Sequence, residues 1–219
     1  MAMDQSTPKP VQVILVRHGQ TAWNREQVFR GRMDLPLDET GRRQAEALRD
    51  ALAGDPISRI VCSPLARAVE TARPLAERLG IELQAYPALA DLDFGHWQGM
   101  TVAAVKEQYP ELFAVWQSAP EQVHFPGGGN LDEAADRAFS ALQRLAAGNE
   151  HGALVVVAHR VINKVLLCRA LGLETSAFWQ IKQDTACINR LSLDAGRWVV
   201  ECLNDTCHLR HLDAATADF

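Results

Sequence analysis

The run Val13-Ile14-Leu15-Val16, stopped abruptly by Arg17-His18-Gly19, constrains this chain more than any other stretch. Consecutive apolar residues without alternation suit a strand covered on both faces, as in a parallel sheet between helical layers. In open α/β sheets, ligands bind in the crevice beyond the carboxyl ends of the strands. The run therefore delivers a cation, an imidazole and a glycine to the place where chemistry is expected. A strand-end histidine can also do no more than cap a loop, so the rest of the chain has to decide.

The same layout recurs along the chain. Ile57 to Cys62 reads as a second buried strand, followed by Ser63-Pro64 as an N-cap with proline at the first helical position, so that Arg67 lies one turn into a helix closed by Gly80. Ile81 to Tyr86 reads as a third strand. Ala153 to Ala158 is the most hydrophobic strand and ends in His159-Arg160, with a helix carrying Val161, Val165, Leu166 and Leu171 directly after it. Between these lie a helix with Thr40 as N-cap and a stripe of Ala45, Leu48 and Leu52, and an ordered loop from Leu89 to Gly99. A helical stretch from Thr101 to Trp116, broken at Tyr109-Pro110, precedes a helix capped by Asn130 with Glu133 three residues on. Ala186 to Leu193 and Trp198 to Leu203 read as strands joined by the turn Asp194-Ala195-Gly196. Strands alternating with helices predict a three-layer α/β/α sandwich with a mainly parallel sheet. The expected organisation is one domain over residues 11–219 behind a disordered lead-in of residues 1–10.

Composition narrows the function classes. The 219 residues, 47% hydrophobic and 22% charged, suit a globular domain with a substantial core. A net charge of −5 disfavours a general nucleic-acid surface but allows a local cationic pocket. No segment approaches the roughly 20 apolar residues needed to cross a bilayer, and the first ten residues lack the apolar core of a secretory signal. Five cysteines, with Cys62, Cys168 and Cys187 in segments that read as buried, point to free thiols in a reducing, cytoplasmic setting.

If the three strands are neighbours, Arg17-His18, Arg67 and His159 converge on one pocket suited to a dianion. Arginine offers a planar fork matched to phosphate oxygens and keeps its charge near neutral pH. A neutral imidazole can serve as nucleophile, and the arginines can supply the charge without a metal. Arg25, Arg30 and Arg32 lie close in sequence to the first strand end.

RHGQTAWN (17–24), SPLARAVETA (63–72), the loop ending DLDFGHWQG (91–99) and VVVAHR (155–160) together resemble the histidine phosphatase superfamily, the phosphoglycerate mutase-like or RHG family. The resemblance covers residues 11 to 210 with its motifs in order, and it implies a phosphoglycerate mutase-like fold and no cofactor. By that resemblance His18 is the nucleophile that becomes phosphohistidine, Arg17, Arg67 and His159 hold the phosphoryl group, and Asn24 assists. The acid of the loop before Phe94 protonates the leaving oxygen and then activates water. The aligned position is Asp91, where the family usually has glutamate, and Asp93 is the rival.

Arg30, beside Gly31, and Arg160 stand where many members carry uncharged or small side chains, and Lys164 falls where the phosphatase branch has a cation. Together they imply a substrate with a second negative group, read by Arg30, Gly31, Phe94 and Arg160. The span Met100 to Gly152 is compact, with only Lys106, Arg137 and Arg144 as basic residues, whereas mutases of the family carry a long basic insertion there. A phosphatase acting on a small soluble phosphate ester is therefore expected, with mutase-type phosphotransfer as the alternative. Tyr109-Pro110, Trp116, Phe125 to Gly128, Phe178-Trp179 and the stretch Leu203 to Leu209 resemble metal-independent phosphoserine phosphatases, although those carry a histidine in place of Phe94. A homodimer is compatible with these features. Two non-enzyme readings are a phosphometabolite-binding protein and a zinc module built from Cys202, Cys207, His208 and His211. The spacing of the latter matches no standard finger. His96, His124 and His151 read as loop histidines.

Overall fold

The computed structural model describes residues 10–212; apart from Pro10, the expected N-terminal lead-in lies outside them. The chain runs β1 (Val11–Arg17), α1 (Ala22–Arg25), α2 (Glu39–Leu52), β2 (Ile57–Cys62), α3 (Ala66–Leu79), β3 (Leu83–Ala85), α4 (Val102–Gln108), α5 (Pro110–Ser118), α6 (Leu131–Ala147), β4 (Ala153–Ala158), α7 (Arg160–Ala170), β5 (Ile188–Asp194) and β6 (Arg197–Asp205). One six-stranded sheet has the order β3-β2-β4-β1-β5-β6. The first four strands are parallel, and β5 is antiparallel to both its neighbours.

The unbroken apolar run of β1 has a direct cause. Val13 and Leu15 pack with α6 and α7 on one face, and Ile14 and Val16 pack with α2 and α3 on the other. Both sides of the pleat are covered, so neither set can be polar. The helix after β1 therefore lies on one face and the helix after β4 on the opposite face. Because β1 and β4 are neighbours, a crevice opens between their carboxyl ends, as at other topological switch points.

Several element boundaries differ from the expected ones, each for a local reason. Asp38 rather than Thr40 caps α2, accepting from the Gly41 N–H at 2.8 Å; a carboxylate there also meets the positive end of the helix. Leu65 rather than Ser63 occupies the N-cap of α3, because the Ser63 hydroxyl is turned into the sheet end. β3 shrinks to the three residues that find partners on β2. β5 begins only at Ile188, because Ala186 adopts a left-handed φ of 54°. The expected break at Tyr109-Pro110 is present: the stretch after the acid loop is two helices, with Pro110 opening the second.

Cys62, Cys168 and Cys187 are buried and all five thiols are free. Cys202 lies within β6, and no three His, Cys, Asp or Glu side chains among the described residues gather to hold a metal ion, so the zinc-module reading has no geometric basis. No helix among the described residues is long and apolar enough to cross a membrane.

The loop after β1 is locked against α2 by two glycines. A Cβ on Gly19 would come within 2.7 Å of the Gly41 carbonyl oxygen, and one on Gly41 would overlap the Gln20 carbonyl oxygen. Gly41→Ala is therefore expected to destabilise the protein by about 1–3 kcal/mol through overpacking, read as a lower urea midpoint at unchanged m-value.

Candidate active site

Strand register places the two histidines. Arg17 pairs with Ala158 across β1 and β4, and the His18 N–H donates to the Ala158 carbonyl at 3.0 Å. The next residue on each strand is a histidine, and their ring centroids lie 5.3 Å apart. Ser63 joins the row from β2, its N–H donating to Val157 at 2.9 Å.

His18 is held in one tautomer. Its Nδ1 lies 2.7 Å from the Gly19 carbonyl oxygen, which can only accept, so Nδ1 carries the proton and Nε2 keeps its lone pair. The Gly19 N–H donates to Thr71 Oγ1 at 2.9 Å, and that hydroxyl donates to the Arg67 carbonyl at 2.6 Å. Burial first, and then the charges of Arg67, Arg17 and Arg30, push the His18 pKa well below the usual imidazole value. His159 is pushed the same way by burial, Arg67, His18, Arg30 and Arg17.

The cations are aimed by backbone carbonyls. Arg17 donates from Nη1 to the Gln183 carbonyl at 2.7 Å. Arg67, fully buried, donates from Nη1 to Met33 and from Nη2 to Gly31, both at 2.8 Å, and from Nη2 to Asp91 Oδ2 at 3.3 Å. Gly31 adopts a φ of 51°, and that conformation suits glycine. Arg30 is buried beside these groups. Arg25 and Arg32 are not in the pocket: both are exposed, and Arg32 pairs with Asp93 at 3.5 Å.

The two candidate acids are separated by the same geometry. Asp91 is buried, with Oδ2 facing Arg67 and lying 3.7 Å from His159 Nδ1. Asp93 is half-buried and accepts from the Gly95 N–H at 3.0 Å, away from the histidines. Arg137 of α6 grips the backbone that carries Asp91, donating to the Ala88 and Ala90 carbonyls at 2.6 and 2.9 Å. Burial raises the Asp91 pKa against the opposing pull of Arg67.

A pocket opens from this centre, lined by Arg30, Asp91, Phe94, Trp116, Arg160 and Phe178 among others. Phe94 is part of an aromatic wall, edge-on to Phe29 at 5.2 Å, Phe125 at 4.9 Å and Trp116 at 6.0 Å. Arg160 lies over the Trp179 ring at 5.6 Å, and buried Lys164 sits over Phe178 and Trp179 at 4.3 and 4.6 Å. Asn24 is buried in α1 in a reciprocal capping box with Thr21, its Oδ1 accepting from the Thr21 N–H at 2.9 Å. Of the candidate residues, Arg30, Gly31, Asp91, Phe94 and Arg160 line this pocket, and Asp91 links it to Arg67 and His159.

Some contributors escaped sequence reasoning. Thr71 is one turn beyond Arg67 on α3, so its proximity was readable from the helical period. Gln183 gave no local signal. Its side chain exchanges hydrogen bonds with Asn189, at 2.6 and 2.9 Å, and Asn189 donates to the Leu15 carbonyl at 3.0 Å. This network ties the loop that holds Arg17 to the sheet.

Comparison with known proteins identifies the family. The family profile of the histidine phosphatase superfamily (branch 1) matches residues 13–206. Phosphoserine phosphatase 1 of Hydrogenobacter thermophilus is 35% identical over 91% of this chain and 94% of its own length. A metal-independent phosphoserine phosphatase of Arabidopsis thaliana is 29% identical over 90% of this chain and 83% of its own. The solved structure of a mycobacterial glucosyl-3-phosphoglycerate phosphatase superposes with a TM-score of 0.83 at 27% identity, covering 90% of this chain and all of that one.

Two buried neutral imidazoles make stability depend on pH. In the unfolded chain His18 and His159 take up protons near 6.5, whereas in the folded chain both resist them to well below that value. Their contribution to stability is complete above about pH 6.5 and is lost as the pH falls from there towards the folded-state values. Urea unfolding free energies measured from pH 7.5 downwards should decline below about 6.5, and His18→Gln should flatten the slope.

Proposed function

The chain belongs to branch 1 of the histidine phosphatase superfamily, and on that premise we propose that it hydrolyses phosphate monoesters by passing the phosphoryl group to His18 Nε2 and then to water. The observation that carries this reading is the His18 Nδ1–Gly19 bond of 2.7 Å, which leaves a nucleophilic lone pair on a neutral ring inside a cation-lined pocket.

In the first step Nε2 attacks phosphorus, the P–O ester bond breaks, and protonated Asp91 gives its proton to the leaving oxygen. In the second, ionised Asp91 takes a proton from water as the water attacks phosphohistidine, so the P–N bond breaks and orthophosphate leaves. The proton on Asp91 is restored over the cycle. Its burial-raised pKa suits this alternation between acid and base. Arg17, Arg67 and His159 meet the equatorial phosphoryl oxygens, where charge is spread in the transition state.

Hydrolysis is favoured over mutase-type transfer because residues 100–152 form α4, α5 and α6 without an added basic enclosure, and Arg137 is committed to the acid loop. The relatives named for phosphoserine and glucosyl-3-phosphoglycerate act on esters that carry a carboxylate as well as phosphate. Arg30 and Arg160 in the same pocket support a second negative group on the substrate here.

A phosphomonoester panel without added divalent metal should show turnover that His18→Ala lowers by about a thousandfold or more. Activity surviving that change would sink the mechanism. Asp91→Asn should lower kcat by roughly 10²- to 10⁴-fold with a smaller effect on KM, and acid quench with labelled substrate should trap acid-labile phosphohistidine. Arg160→Ala should raise KM more for a carboxylate-bearing ester than for an aryl phosphate with an uncharged leaving group; equal effects would argue against the second anion.

A further inference from the structure

The Ser63 hydroxyl is the buried polar group at the centre that the mechanism above leaves without a task. It is fully buried at the end of β2, accepts from the Leu65 N–H at 3.3 Å, and lies 2.7 Å from His159 Nε2. On the other edge of the same ring, His159 Nδ1 is buried, has no hydrogen-bond partner within the protein, and faces Asp91 Oδ2 at 3.7 Å.

We propose that Ser63 is a positioning residue that holds His159 in the tautomer with its proton on Nδ1, so that an uncharged imidazole presents an N–H to the phosphoryl oxygen. This inference rests on the phosphatase reading for its catalytic consequence, though the tautomer itself does not.

His159 faces Arg17 and His18 at the end of β1, Arg30 on the loop after it, Arg67 on α3, and Asp91 on the acid loop. The ring is fully buried and four of these five are cations or a second imidazole, so in the free enzyme it is neutral and has a single N–H to place. With the proton on Nε2, the bare Nδ1 lone pair would point at carboxylate and phosphoryl oxygens, acceptor against acceptor. With the proton on Nδ1, Nε2 becomes the acceptor and needs a donor. Ser63 supplies it, because its oxygen already accepts from Leu65 and its own proton is left to give. A leucine or alanine at position 63 would remove that selection. Substrate dianion can then be held through Nδ1–H without first protonating a ring that its surroundings keep neutral.

Long-range ¹⁵N–¹H correlation spectra of histidine-labelled enzyme, recorded without substrate, test the tautomer directly. The wild type should show His159 protonated on Nδ1, Ser63→Ala should shift the ring towards a tautomer mixture, and Ser63→Thr should keep the wild-type pattern. In turnover, Ser63→Ala should lose roughly tenfold or more in kcat/KM near neutral pH, in the range of losing one preorganised donor. Ser63→Thr should retain most of the activity. An Nε2–H signal in the wild type, or an unchanged spectrum in Ser63→Ala, would overturn the proposal. If the wild type shows the Nδ1–H signal but no turnover, the phosphatase reading fails and the tautomer assignment stands.

Discussion

Parallel pairing of β1 with β4 is the constraint on which the rest of the site depends. The two strands are far apart in sequence, yet their register, Arg17 opposite Ala158, decides that His18 and His159 end up as neighbours. A slip of one residue would turn one histidine to the opposite face of the sheet. Register is secured by burial on both faces: Val13, Leu15, Val155 and Val157 each have a helix layer to fill. The chemistry is therefore underwritten by the most hydrophobic part of the molecule.

Gathering Arg17, Arg30 and Arg67 around two imidazoles is electrostatically unfavourable, and the structure shows how it is sustained. Arg67 is surrounded by the carbonyls of Met33 and Gly31 and by Asp91. Arg17 is turned onto the Gln183 carbonyl, whose loop is bound through Asn189 to β1 and through Asn204 to β6. These fixed acceptors hold the donors where a dianion would sit, so little reorganisation remains when charge arrives. Burial, reinforced by the same field, keeps the histidines neutral, and burial also raises the pKa of Asp91. Cost in stability and readiness for phosphoryl transfer have one source.

The aromatic wall has two roles that cannot be separated. Phe29, Phe94, Trp97, Trp116 and Phe125 interlock edge to face at 4.9 to 6.0 Å, which makes them a core for loops that otherwise lack regular structure. Phe94 and Trp116 also line the pocket, so the packing that orders the acid loop shapes the space for the leaving group.

The sequence by itself determined the sandwich and the strands carrying the motifs, and it put Arg17, His18 and His159 at strand ends and Arg67 one turn into the following helix, because those features are written in local periodicity and in motifs of fixed spacing. Thr71 was within its reach, one turn from Arg67. Only the tertiary structure distinguishes the surroundings of Asp91 and Asp93: both belong to one short loop, but Asp91 faces Arg67 and His159 whereas Asp93 pairs with exposed Arg32. It also removed Arg25 and Arg32 from the site and took Ser63 from helix capping to the His159 ring. The Gln183–Asn189 network lay beyond local reading for the same reason. Each of these depends on contacts between segments distant in the chain, and the hydrogen bonds that settle them do not exist until β1, β2, β4 and β5 lie side by side.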